Sequence, residues 1–159
     1  MSLEFHGVPR NPIPSFKSGD EFFLNGSSPV HGWVYLFSID ADRNLDPVYP
    51  RDGERSGIRL SRNAKKDLSA AINAKIAPTL HFEGSAVGME RLVVVVVDTE
   101  EAIPVTCAHM RSIFPLSVLF AHEQRTRGLA PAAGPRELTF DRLGLNQIAI
   151  GTLDYYYEG

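Results

Sequence analysis

A single cysteine, Cys107, stands in this 159-residue chain. No disulfide can therefore close within it, and no cysteine-rich zinc site can assemble. Long apolar runs are missing as well. The longest, Leu92 to Val97, falls far short of the roughly 20 residues of a membrane-spanning helix. The first residues show no basic stretch leading into an apolar one, so no secretory signal peptide is expected in them. Nor does one sign of charge dominate: 16 Lys and Arg against 19 Asp and Glu give a formal net charge of -3. Such a balance offers no bulk attraction to nucleic acid or to an anionic membrane.

What is present is an ordinary globular composition, 43% hydrophobic and 22% charged, at a length that suits one domain. Met1-Ser2-Leu3 and Glu158-Gly159 resemble vector-derived ends and are set aside from the fold. The domain is accordingly taken as residues 4–157, expected to belong to a longer protein.

Strand signals dominate the chain. Pro9, Pro12 and Pro14 make residues 7–19 an extended lead-in. Glu21 to Asn25 predicts a first strand, closed by a turn at Gly26-Ser27-Ser28-Pro29. Trp33 to Ile39 is aromatic and β-branched with apolar residues on both alternating faces, which places it centrally in a sheet. Asp40 to Asn44 reads as a hairpin turn and Leu45 to Tyr49 as the returning strand, with Pro47 favouring an edge or a bulge. Residues 51–67 read as polar loop with a short strand at Gly57 to Leu60, and Ala64 to Ile72 as a short helix. Thr79 to Glu83 and Glu90 to Asp98 predict a second hairpin across residues 84–88. The five consecutive valines inside its second arm demand burial on both faces. An amphipathic helix is expected over Ile113 to Arg127, stopped by Gly128, with Leu116, Leu119 and Phe120 on one face. Gln147 to Tyr157 completes the set as a last strand. The fold class is mainly β: an antiparallel, sandwich-like domain with one accessory helix near 113–127.

Several constellations approach a known chemistry and miss it. Asp40, Asp42, Asn44 and Asp46 alternate like the start of a calcium loop, but Leu45 and Arg51 occupy the places of its glycine and its bidentate glutamate. An acidic hairpin tip is the simpler reading. His122-Glu123-Gln124-Arg125-Thr126 lacks the second histidine of a zinc-protease helix. Gly84 to Gly88 lacks the Lys-Ser/Thr ending of a phosphate loop, and no serine sits in a nucleophile elbow. No metal or other cofactor is therefore expected.

The enzyme alternative is a small hydrolase using Cys107 as nucleophile with His109 or His122 as base, although lone cysteines are usually small buried hydrophobes. A basic stretch, which includes Arg51, Arg55 and Arg59, is diluted by acids and carries no interleaved aromatics. It reads as a solvated face, with an anionic partner surface as the alternative. Tyr155-Tyr156-Tyr157 sends its first and third rings to one side of a strand and its second to the other. Trp33, Tyr35, Tyr49, Arg51, Arg55 and Arg59 are the candidate binding residues. A ligand binder, the third alternative, would use the aromatic ones to line a pocket.

One pattern is familiar. Gly19-Asp20 opens a strand, the tyrosine-bearing strand Gly32 to Ile39 ends at Asp40, Tyr49-Pro50 follows the hairpin, and Gly88-x-Glu90 precedes the valine strand. Over residues 16–104 this resembles the bacterial "domain of unknown function 4384" family. The resemblance implies an accessory module, often joined to caspase-like peptidase, protein kinase or envelope-associated domains. It supplies no catalytic residues. With Tyr35, those motif residues act as fold determinants. The expected function is a non-catalytic interaction or sensing module, with a protein partner or a neighbouring domain of its own polypeptide. An extracytoplasmic setting is expected ahead of a cytoplasmic one.

Overall fold

A computed structural model describes residues 1–51, 53–84, 86–100 and 148–159. Along the chain come β1 (Ser2–Phe5), β2 (Ser15–Phe16), β3 (Leu24–Ser27), β4 (Gly32–Ile39), β5 (Leu45–Tyr49), β6 (Arg59–Leu60), β7 (Lys66–Asp67), α1 (Leu68–Asn73), β8 (Gly88–Val97) and β9 (Ile148–Tyr157).

The valines set the frame. β-Branched side chains fit a pleated surface covered on both sides, and β8 lies between β4 and β9, antiparallel to each. The large sheet runs β2-β9-β8-β4-β5, with β6 also on β4, while β1-β3-β7 form a small sheet. Only the two-residue β2 joins the large sheet in parallel. Alternation along β4 and β8 divides their side chains between two cores. Val34, Leu36, Leu92, Val94 and Val96 pack inward against Leu3, Phe5 and Leu24 of the small sheet and against Leu68 and Ile72 of α1. Tyr35, Phe37, Ile39, Val93, Val95 and Val97 form the opposite cluster with Ile150. The domain is mainly β and its two sheets share the inner layer. Gly151 of β9 lets them close up: a Cβ there would stand 2.7 Å from Leu3 Cδ1.

The helix is short and bound at its start. Asp67 accepts the Ala70 N–H at 2.9 Å and the Ser69 hydroxyl at 2.7 Å, a side-chain cap on donors the helix itself cannot satisfy. Those hydrogen bonds hold the Asp67 carboxyl below its usual range. The Ser69 oxygen also accepts the Leu24 N–H at 3.0 Å, which ties α1 to the small sheet.

The two long central strands, the acidic hairpin, the edge strand with its irregularity at Pro47 and the last strand all stand where the residue pattern puts them. The register of β4 on β5 shifts between Leu36 and Phe37, as an imino acid in a strand invites. Other expectations need correction. Leu3, set aside as part of a vector-derived end, is 2% exposed in the inner core. Pairing of the first strand begins at Leu24, and Gly26 and Ser27 continue it where a turn is expected. The helix starts at Leu68, because Lys66 and Asp67 pair with β3 first. Residues 79–83 do not form a hairpin with β8, whose two edges are taken by β4 and β9. Their backbone turns instead to residues 19–22: Phe82 N–H donates to the Asp20 carbonyl and Gly19 N–H to the Phe82 carbonyl, each at 2.8 Å. The helix expected over 113–127 lies outside the described residues.

Candidate functional site

The inward row of β8 is Val96, Val94, Leu92 and then Glu90. The last of these places a carboxyl at the end of an apolar layer. Its cross-strand neighbour is Tyr155, whose hydroxyl donates to Glu90 Oε2 at 2.7 Å. Glu90 is 7% exposed and Tyr155 is 3% exposed. Burial pushes the Glu90 carboxyl above its ordinary value of 4.5, opposed by the Tyr155 hydrogen bond and reinforced by the nearby Asp40 charge. Burial likewise raises the Tyr155 phenol, and the bonded carboxyl adds to the effect.

Around this pair the chain builds an open cleft of about 740 Å³. One wall is the 79–84 segment, held on residues 19–22. Phe82 within it stacks on Phe16 with ring centroids 4.0 Å apart and leans on Tyr155 at 4.8 Å. Gly84 closes the end, accepting the Tyr157 hydroxyl on its carbonyl at 3.1 Å. The facing wall comes from the β4–β5 hairpin, with Ser38, Asp40, Asp46, Pro47 and Val48. Asp40 accepts the Asn44 backbone and side-chain N–H groups at 2.8 and 3.1 Å, and these bonds hold its carboxyl below the usual range. His81 is anchored between the Thr79 carbonyl at 2.8 Å and Glu83 at 3.2 Å. The Thr79 carbonyl is the leading cause that raises its pKa, followed by the hydrogen bond and charge of Glu83. Among the described residues the lining holds four carboxylates, Asp40, Asp46, Glu83 and Glu90, against the cationic Arg51 and the titratable His81.

A second hollow of about 450 Å³ adjoins the first and shares Asp40 and Glu90 with it. Gly88 sits beside it with φ +148°, and a Cβ there would come within 2.9 Å of the Ala41 Cβ. Asp40, Gly88 and Glu90 thus meet at one end of the large sheet. Tyr35, by contrast, is fully buried within the outer cluster, and Tyr49 lies in the inner core.

The candidate binding residues do not converge. Trp33 is half-buried against the outer cluster at the other end of β4, and Tyr35 is fully covered there. The Tyr49 hydroxyl donates to the Ser56 carbonyl, and burial pushes its phenol up to about 12. Arg55 is exposed and pairs loosely with Glu100 at 3.9 Å. Arg59 is exposed on β6, paired with Trp33 across the strands. Arg51 alone of the six reaches the cleft, where its guanidinium donates to the Ala77 carbonyl at 2.6 Å. Cys107, His109 and His122 lie outside the described residues. Glu90 and Tyr155 are the functional candidates that residue type alone does not single out. Their signal is positional: an acid in an otherwise apolar inward row, facing a tyrosine.

No protein-family model matches the chain, and no curated protein or solved structure matches it either.

Proposed function

We propose that this domain is a non-catalytic recognition module of a larger bacterial protein, and that the Glu90 cleft receives a segment of a partner or of a neighbouring domain. The observation that carries this reading is how the cleft is built. Its volume of about 740 Å³ lies within the range of ligand-binding clefts, and its polar groups serve to fix its walls. Asp40 caps its own hairpin, Arg51 holds the Ala77 carbonyl, and His81 is anchored by Thr79 and Glu83. Walls fixed in this way favour holding a ligand over transforming one. The motif resemblance adds support, since its members are accessory modules joined to other domains.

Capture of the purified neighbouring domains of the full-length protein tests the proposal. Glu83, with its side chain 77% exposed on the rim, is replaced in the variant Glu83→Arg, and Arg62→Ala serves as a remote control. Capture by the wild type and the control, weakened at least tenfold by the rim change, is the expected result. Capture indifferent to the rim change would move recognition away from the cleft and sink the reading.

A further inference from the structure

We infer that the Glu90 cleft is specific for a primary ammonium group carried on an apolar stem. This inference rests on the recognition reading above and names its ligand class. The decisive feature is the carboxyl at the floor. Glu90 is more than nine-tenths buried, and its Oε2 is occupied by the Tyr155 hydroxyl. Its Oε1 accepts no hydrogen bond among the described residues and lines the cleft, 3.5 Å from where a Cβ on Gly84 would stand. That oxygen is open to the cleft, and a cationic donor that reaches it would match the charge of a carboxylate otherwise bonded only to a neutral hydroxyl.

The surrounding charge selects the sign of the ligand. Asp40, Asp46 and Glu83 line the same cleft, against Arg51, bonded to the Ala77 carbonyl, and His81, bonded to the Thr79 carbonyl and to Glu83. An anionic ligand would therefore meet more carboxylates than cations. The floor also separates ammonium from guanidinium. An arginine fork seeks two carboxylate oxygens side by side, and the Tyr155 hydroxyl already fills one acceptor position on one of them. The less encumbered Oε1 suits the compact, rotatable donors of an ammonium. Phe22, Leu80, Phe82 and Leu92 in the lining give the methylene stem an apolar path to the floor.

Two sources carry this chemistry, a lysine side chain of a peptide and a free alkyl diamine, and the experiment separates them. The folded chain, labelled with nitrogen-15, is titrated with 1,5-diaminopentane and with the capped tripeptide acetyl-Ala-Lys-Ala-amide. Matched neutral probes are 1,5-pentanediol and the same tripeptide with norleucine in place of lysine. The expected result is movement of the Gly84, Glu90 and Tyr155 amide signals at concentrations at least tenfold lower for the charged member of each pair. Glu90→Gln should erase that tenfold preference. A tighter tripeptide identifies a lysine side chain as the natural group, and a tighter diamine identifies a free polyamine.

Equal response to charged and neutral probes, or a charge preference that survives Glu90→Gln, overturns the inference. Because the neutral probes are compared on the wild-type chain, a variant that fails to fold does not blunt the test. Neutral probes that move the cleft signals as strongly as charged ones would sink the ammonium specificity and leave the recognition reading standing. That reading falls only with the rim-variant capture experiment.

Discussion

The two ends of the β8–β9 ladder are made of the same kind of strand and solve opposite problems. From Val93 to Val97 both faces are apolar, and the ladder is sealed between two hydrophobic clusters. At the other end, consecutive residues carry opposite charges to opposite faces. Arg91 points outward and meets Asp154 with two hydrogen bonds, at 2.5 and 3.0 Å. Glu90 points inward and meets a neutral phenol. Both are 7% exposed, so burial is equal and the partner alone differs. A buried guanidinium beside a carboxylate has its charge matched, whereas a buried carboxylate beside a hydroxyl is solvated and not neutralised. The charge is therefore matched within the ladder on one face and left unmatched by its hydrogen-bond partner on the other.

The largest effect should come from erasing the distinction between the two ends. Val94 is fully buried and sits opposite Gly151, which has no side chain to offer, beneath Leu3. Val94→Glu would place there the carboxyl that position 90 accommodates, but without a hydroxyl donor or an opening to water. A loss above about 4 kcal/mol is expected, from an unpaired buried charge together with overpacking. Urea denaturation followed by fluorescence of Trp33 measures it. A loss below about 2 kcal/mol would show that the valine end is as tolerant as the cleft end. Asp154→Ala comes next, because it strands the Arg91 charge. Breaking a buried pair costs roughly 3–5 kcal/mol, and Asp154 keeps 27% of its side chain exposed, so about 2–3 kcal/mol is expected. Tyr155→Phe follows at about 1–2 kcal/mol, the cost of leaving a buried acceptor without its donor. If Tyr155→Phe proves costlier than Asp154→Ala, charge matching is not what distinguishes the outward pair.

How much of this is readable before folding depends on whether an element carries its own reason. The strands at 32–39, 88–97 and 148–157 do, because β-branched and aromatic residues run long enough for one pattern to dominate. The tyrosine triplet also divides by alternation, with Tyr155 and Tyr157 buried and Tyr156 39% exposed. The partner of residues 79–83 is not readable. Leu80 and Phe82 announce an apolar face, but whether that face joins β8 or residues 19–22 depends on which edges other strands have already filled. The cleft is illegible for the same reason. Glu90 stands beside a valine run in the chain, but its depth follows from register with Tyr155, 65 positions away. Only a settled sheet makes that pair. Similarly, Trp33, Tyr35, Tyr49, Arg51, Arg55 and Arg59 are chosen by residue type, and the pleat disperses them.

The smallest expected effect is the sharpest test of the comparison, because its sign runs against habit. Glu90→Gln removes a charge, keeps the shape, and leaves an amide oxygen able to accept the Tyr155 hydroxyl. Burial raises the folded pKa of Glu90 above its ordinary 4.5, with Asp40 adding to the rise. The folded chain therefore holds this proton more tightly than the unfolded chain does. Stability from that difference is complete below the unfolded value and is lost as pH rises through the folded one. Asp67 and Asp40, whose carboxyls are lowered, act in the opposite sense, losing their contribution as pH falls through their folded values. Subtracting wild type from variant at each pH cancels the Asp67 contribution and leaves position 90 together with its coupling to Asp40. The two chains should be equally stable near pH 4, and Glu90→Gln should gain about 1 kcal/mol by pH 7. The same substitution should cost ammonium affinity, so stability and binding move in opposite directions at one residue. That opposition is expected of a carboxylate kept for its ligand, and a Glu90→Gln chain that is less stable at pH 7 than at pH 4 relative to wild type would place Glu90 among the fold's supports instead.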